Sequence, residues 1–315
     1  MNTCNNRVLF ITSSPKCPGG IASVYRSISK ELKLANIDVF YSYENKRSLL
    51  KYIIKYFQFI KLIFSYSIIH LNTPLSKNSF FRDLPYILIG KIFGKKIVVH
   101  FHGGEEIFYQ RIIKSKTLRF IAARTFFSVD RVIVLGQQFI KDYNQIKHIN
   151  IIKYKVLPNP VESIFLNQNP KTKFNFNNGI NILYLSRIDK RKGCEIAIEA
   201  MKFMPNSLKI NLNICGDGPF LQEMKNLAIK NNLDNITFHG YLKGDEKIEQ
   251  FKSNDIFLYP TYYEGLPVCL LEAMSFGLPI ITRPVGGISD FIKDGVNGFV
   301  TESLDPKDFA ALILK

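Results

Sequence analysis

Two carboxylates carry the most suggestive chemistry in this sequence. Glu264 and Glu272 stand eight residues apart, and Glu272 is the only charge between positions 265 and 281. Pro267 suits the first position of a helix, and Gly277-Leu278-Pro279 would end it. The pattern therefore predicts a buried helix of roughly ten residues, apolar nearly all round. A lone carboxylate inside such a helix costs on the order of several kcal/mol unless something hydrogen-bonds it. Glu264 precedes the helix, beside backbone N–H groups that have no intrahelical partner and attract anions. Glu272 lies ~9 Å further along the axis. That distance fits a sugar and the sugar-side part of a nucleotide. A structural alternative stands beside it: one acid caps the helix and the other pairs with a lysine. Spacing alone leaves both open.

A second group of residues could hold phosphate. Arg187 and Lys192 sit in Ser186-Arg-Ile-Asp-Lys-Arg-Lys-Gly193, between the strand predicted over 180–185 and the helix predicted over 194–203. Open α/β sheets bind ligands at such strand ends. A guanidinium fork and a point-charge ammonium aimed together suit a diphosphate; the alternative is a solvated loop with surface cations. A third candidate is His102, which ends the strand predicted over 96–101 and precedes Gly103-Gly104. His100 shares its strand face. A fourth is the loop over 13–20 with Gly19-Gly20, which follows a strand (7–12) and opens a helix (21–34). Backbone N–H groups there can approach a phosphate or sugar oxygen. The loop lacks G-x-G-x-x-G spacing, so a dinucleotide fingerprint is poorly supported.

These candidates need a framework, and the chain has room for one. Its 315 residues suffice for two domains with their own cores. Short apolar runs over 7–12, 37–41, 67–71, 96–101 and 131–135, then 180–185, 208–215, 236–238, 255–259 and 280–282, alternate with helical patterns. That alternation predicts two α/β halves with parallel sheets. The segment 155–161, with two prolines, reads as a stiff connection between domain 1–158 and domain 159–315. Five scattered cysteines without Cys-x-x-Cys argue against a disulfide framework or a cysteine metal site. The first residues run straight into a strand, so no signal peptide is expected. No apolar stretch reaches about 18 residues, so no membrane span is expected either.

Charge is concentrated in one half. Residues 1–158 hold 25 Lys+Arg and 8 Asp+Glu, a net +17, against −1 for the remainder. A basic half suggests a large anionic partner. The stretch 46–64 places Arg47, Lys51, Lys55 and Gln58 at helical spacing among Leu, Ile, Phe and Tyr. It predicts a basic amphipathic helix suited to an anionic membrane interface, or a helix packed on the sheet with a solvated lysine face. Nucleic acid is not expected as the partner, because no recognised nucleic-acid motif accompanies the charge.

Several of these elements together resemble the retaining glycosyltransferases of family 4. The resemblance runs from Val8 to the last residues. It is carried by the E-x7-E pair of Glu264 and Glu272 with Gly265-Leu266-Pro267 after the first acid, and by the S-R-x-x-x-x-K-G element. It is carried further by His102-Gly103, Gly216-Asp-Gly-Pro219, His239-Gly-Tyr241 and Val285-Gly-Gly-Ile288. The resemblance implies the GT-B fold, two Rossmann-like domains facing a cleft. It implies sugar transfer from a nucleotide-diphosphate sugar to a glycan or lipid-linked acceptor, as in bacterial cell-surface polysaccharide synthesis; the scattered cysteines suggest a cytoplasmic protein, and the basic half suggests peripheral docking on the membrane. The resemblance assigns Arg187, Lys192 and the Gly19-Gly20 loop to the diphosphate, and Gly216 and Tyr241 to the region of the base. Glu272 is assigned to ribose; Glu264, Gly265, Leu266, Pro267 and Val268 hold the sugar, and His102 orients it. No metal or other cofactor is expected: there is no Asp-x-Asp pair, and the two cations would neutralise the diphosphate. Family members continue past the equivalent of Lys315 to a helix that crosses back to the N-terminal domain. That crossover is expected to be missing, and the alternative function is a truncated, non-catalytic, nucleotide-sugar-binding and membrane-docking relative.

Overall fold

The computed structural model of the protein describes residues 7–17, 20–44, 48–147, 153–172 and 179–315. Gly19 and the start of the predicted basic helix, at 46 and 47, lie outside them. The chain divides into two compact units, Met1–Pro160 and Val161–Lys315. Each is built on a six-stranded, wholly parallel sheet.

In the N-terminal unit the strands are β1 (Val8–Ser13), β2 (Asp38–Tyr43), β3 (Ile68–Leu75), β4 (Lys96–Gly104), β5 (Arg131–Val134) and β6 (Tyr154–Val156). The spatial order is β2-β1-β3-β4-β5-β6. The helices between them are α1 (Gly20–Leu34), α2 (Leu49–Ile63), α3 (Lys77–Ile92), α4 (Glu106–Lys114), α5 (Lys116–Arg124) and α6 (Gln137–Asn144). β1 is buried along nearly its whole length because helices cover both faces of a parallel sheet. β4 runs three residues beyond the predicted end, so His102 and both following glycines are strand residues.

Helix α2 packs on the unit by one face, but its outer face is apolar as well as basic and is not the purely solvated lysine face of the second expectation. Phe59 and Ile63 are buried against the unit, while Leu50, Ile53, Ile54 and Phe57 face outward with Lys51 and Lys61. The physical reason is composition. Eleven of the fifteen residues of α2 are apolar or aromatic, too many for one stripe of about 100°.

The C-terminal unit contains β7 (Ile180–Leu185), β8 (Ile210–Cys215), β9 (Ile236–Gly240), β10 (Ile256–Tyr259), β11 (Ile280–Thr282) and β12 (Gly298–Val300). Its helices are α7 (Ser163–Leu166), α8 (Cys194–Ala200), α9 (Leu221–Lys230), α10 (Gly244–Ser253), α11 (Val268–Ser275), α12 (Ile288–Phe291) and α13 (Pro306–Ile313). The order is β12-β11-β10-β7-β8-β9. The chain thus winds outward from β7 in one direction and from β10 in the other. β7 and β10 are neighbours at the point where the winding reverses, and such a switch point leaves a crevice at the carboxyl ends of its strands. Cys194, Cys215 and Cys269 are free, and burial pushes all three thiols up, so they remain protonated and unreactive.

One buried charge fixes the frame of the N-terminal unit. Asp83 on α3 is fully buried. It takes two hydrogen bonds of 2.7 Å from the Arg82 guanidinium and one of 2.6 Å from Thr73 on β3. Removing one partner of such a pair costs about 3–5 kcal/mol, because the other charge is left uncompensated. Asp83→Ala should therefore lower the unfolding free energy of the N-terminal unit by about that amount, read as a shifted urea midpoint.

Candidate functional site

The loops that leave β7 and β10 meet at the switch point of the C-terminal unit. The loop after β7 carries Arg187 and ends in a turn of 3-10 helix, Lys190–Lys192, whose first N–H groups are served by Asp189. Gly193 then turns the chain with φ 69°, in the left-handed region. A Cβ on Gly193 would stand 2.0 Å from the carbonyl oxygen of Pro260, so only glycine lets the two loops approach this closely. Tyr262 N–H and Thr261 Oγ1 both donate to the Arg191 carbonyl, at 2.9 and 3.0 Å.

This approach brings Lys192 onto Glu264. The ammonium donates to Glu264 Oε1, and the Tyr259 hydroxyl at the end of β10 donates to the same oxygen. Tyr259 is buried; burial and the nearby carboxylate push its hydroxyl well up, so it stays a phenol and a donor. Tyr184 OH bonds the Lys192 carbonyl at 3.0 Å and fixes the base of the lysine. On the other side, Gly286 (φ 58°) would drive a Cβ to 2.0 Å from the Glu264 carbonyl, and Gly287 N–H bonds the Gly265 carbonyl at 2.6 Å. Three loops, after β7, β10 and β11, therefore hold Glu264 in place.

Arg187 does not join Lys192. Its guanidinium is largely exposed and lies 3.9 Å from Asp189. The expectation of two cations aimed at one point thus changes locally: Lys192 is engaged by a carboxylate, and Arg187 is left to solvent. Helix α11 begins at Val268, one residue later than the spacing predicts. Pro267 has an extended ψ of 126° and precedes the helix instead of forming its first position. Leu266 is buried beside it.

Glu272 lies inside α11 and is 3 % exposed. Burial pushes its carboxyl up, and Lys247 on α10 partly offsets this. Lys247 Nζ bonds Oε1 at 2.7 Å and lies 2.5 Å from Oε2. Oε2 nevertheless has no directed donor of its own. The lysine's other neighbours are the faces of Phe165 and Phe251, at 4.9 and 5.9 Å. The structural alternative for Glu272, a buried acid paired with lysine, is therefore realised, with the ammonium close to both carboxylate oxygens. Lys247 carries no sequence signal: it looks like one more charge on a polar helix.

Gly216 follows β8, and its N–H bonds the Gly240 carbonyl at 2.7 Å, joining the loops after β8 and β9. Tyr241, next along, is 71 % exposed. A pocket of about 340 Å³ lies elsewhere in the unit, between the starts of α8 and α9, and Glu195, Phe220 and Tyr262 contribute to its lining. It contains none of the residues predicted to bind the donor.

In the N-terminal unit His102 is held on both sides. Nε2 lies 3.0 Å from Asn72 Oδ1, and Nδ1 lies 3.2 Å from Asn159 Oδ1. Asn72 donates its own amide to the Ile11 carbonyl at 3.2 Å, which fixes its oxygen toward the histidine. Burial holds His102 down to about pH 4 for protonation, so it is neutral and carries one N–H. Both flanking atoms are amide oxygens, Asn72 Oδ1 and Asn159 Oδ1, so the single N–H of the neutral ring can serve one of them at a time. His100 stacks on His102 with ring centroids 4.0 Å apart, and His70 lies 5.8 Å from His100. Asn72 and Asn159 are site residues that no motif marked. Gly20 is the first residue of α1 and has open space around its Cα.

Residues 167–315 match the family model of Glycosyl transferases group 1. An uncharacterized glycosyltransferase of Methanocaldococcus jannaschii is 29% identical over 82% of this chain and 69% of its own length. The amylovoran biosynthesis glycosyltransferase AmsK of Erwinia amylovora is 29% identical over 43% of this chain and 35% of its own. Matches to further relatives likewise span under half of those proteins. Among solved structures, the Anabaena protein HepE, in complex with UDP and glucose, superposes with a TM-score of 0.73 at 19% identity, over 98% of this chain and 89% of that one. The fold is thus GT-B, and the family model and relatives support the glycosyltransferase superfamily.

The three stacked histidines give a pH prediction. His70 and His102 are held down to about 4 and His100 also lies well below its ordinary 6.5, all mainly through burial. The unfolded chain then binds more protons than the folded one between about pH 6.5 and 4, so stability falls as pH falls through that window and is level above it. A series of urea midpoints from pH 8 to pH 4 should show this fall, and His70→Phe should make it shallower.

Proposed function

We propose that this protein transfers a sugar from a nucleotide-diphosphate sugar to a hydroxyl of a glycan or lipid-linked acceptor, with retention of anomeric configuration. One observation carries the reading. Lys192 and Glu264, 72 residues apart in sequence, meet at the carboxyl-end crevice of β7 and β10, within the stretch matched by Glycosyl transferases group 1. The role of AmsK in amylovoran biosynthesis supports a glycan acceptor.

The residues divide the work as follows. The diphosphate draws Lys192 from Glu264 and recruits the exposed Arg187, so the developing phosphate charge is met by two cations. Gly20 and Gly216 let backbone approach the nucleotide. With Oε1 of Glu264 held by Tyr259, Oε2 accepts from a sugar hydroxyl, beside the backbone of Gly265, Leu266, Pro267 and Val268. Glu272, held in place by Lys247, accepts from the ribose diol. Tyr241 flanks the base, and His102 is assigned to orienting the sugar. The leaving phosphate takes the acceptor proton, so the protein acts by positioning and charge stabilisation. Charge neutralisation by Arg187 and Lys192 removes the need for a metal, and EDTA should leave turnover unchanged. We place the reaction at the cytoplasmic face of an anionic membrane, to which the +17 charge of residues 1–158 would be drawn.

A charge-assisted contact is worth about 1.5–3 kcal/mol, so Lys192→Ala or Arg187→Ala should each lower transfer at least about tenfold in a nucleotide-sugar turnover assay. Wild-type rates in both would refute the diphosphate assignment. Glu272→Gln should weaken the nucleoside diphosphate itself in calorimetric titration. Glu264→Gln should spare that affinity and lower sugar transfer. Equal losses of nucleoside diphosphate affinity would overturn the division between the two acids.

A further inference from the structure

Helix α2 has two apolar faces, and among the described residues only one has a partner. On the inner face Phe59 packs edge-on to Tyr86 at 5.0 Å, and the Tyr56 hydroxyl bonds the Arg82 carbonyl at 2.9 Å. The outer face carries Leu50, Ile53, Ile54 and Phe57, and the cap residue Phe64 continues it. These five positions fall within an arc of about 100° on a helix. Leu50, Phe57 and Phe64 are 65 %, 63 % and 65 % exposed. Phe64 then touches Phe93, at 4.9 Å, beside Ile92, which is 79 % exposed at the end of α3. A contiguous apolar ridge of this kind marks an interaction site, not scattered surface leucines.

The charges around the ridge select its occupant. α2 contains three lysines and no acid, and the only acid of α3, Asp83, is buried under Arg82. Lys55 is turned back to Glu44, whereas Lys51 and Lys61 are exposed on the outer side. Two copies meeting through this face would bring like charges together with no carboxylate to answer them. An anionic lipid surface answers both features: lysines meet headgroups and the ridge meets acyl chains. At fifteen residues α2 is ~22 Å long, and no helix among the described residues is long and apolar enough to cross a membrane. The ridge therefore lies in the interface plane.

We propose that the outer face of α2, with Phe64, Ile92 and Phe93, inserts into the acyl boundary of an anionic membrane leaflet. This deepens the membrane placement proposed above and does not depend on turnover, so its test reads binding alone. Purely electrostatic docking would be lost at high salt. Insertion leaves a component that salt does not screen.

The full chain would be sedimented with phosphatidylglycerol–phosphatidylcholine vesicles at low salt and at about 1 M salt, where the Debye length is about 3 Å. The expected result is binding at low salt with a residual fraction at high salt. Phe57→Ser with Phe64→Ser should lower partition by on the order of tenfold or more under both conditions. Lys51→Glu with Lys61→Glu should lower it chiefly at low salt. The chain has no tryptophan, so Phe57→Trp supplies a single reporter, whose emission should shift blue and be quenched by brominated acyl chains. Unchanged emission, unaltered binding of the double serine variant, or no binding to anionic vesicles would each overturn the proposal. So would a wild-type dimer in light scattering that the double serine variant abolishes, which would assign the ridge to a second copy. Loss of binding with unchanged transfer to a soluble acceptor would leave the enzymatic reading intact.

Discussion

The C-terminal unit depends on one ion pair, Lys192 with Glu264, closed from below by Tyr259. Its partners come from the loops after β7 and β10, the two strands between which the sheet reverses its winding. Both side chains are mostly buried, so neither charge is tolerable without the other or a replacement for it. The donor proposed above would bring such replacements: anionic oxygens for the lysine and hydroxyl donors for the glutamate. The pair thus fixes both side chains and the loops that carry them relative to one another. Gly193 and Gly286 belong to the same constraint, since a methyl group at either would push apart the loops that bring the pair together.

The two glutamates eight residues apart occupy different environments. Glu264 lies in a loop that three strand ends hold, and it shares a phenol and an ammonium on one oxygen. Glu272 lies within a helix, where an ammonium lodged between two phenylalanine rings stands opposite its carboxyl. Separation of this kind lets two like residues serve two different hydroxyl groups. In the N-terminal unit the comparable device is polar and neutral: Asn72 and Asn159 hold the His102 ring from both sides, and Asn72 takes its own orientation from the Ile11 carbonyl on β1. Thr73, the next residue, is bonded to the buried Asp83, so the frame and the histidine share one stretch of β3.

Much of this was determined by local sequence. Short apolar runs alternating with helical patterns suffice for two parallel α/β units, because a parallel strand covered on both faces must read as continuously apolar. The strand-end loops with Arg187, Lys192 and Glu264 were legible because strand, turn and helix punctuation is local chemistry. What sequence could not contain is which strands are neighbours. That β7 lies against β10 follows from packing of the whole sheet, and it alone decides that Lys192 reaches Glu264 while Arg187, five residues away, does not. Lys247, Asn72 and Asn159 were invisible for the same reason: each acquires a role from a partner distant in the chain. α2 shows the limit from the other side. Its sequence determined a basic, aromatic helix, but only the tertiary structure decided which apolar face the core would take, since one helix can bury one stripe and this one carries two.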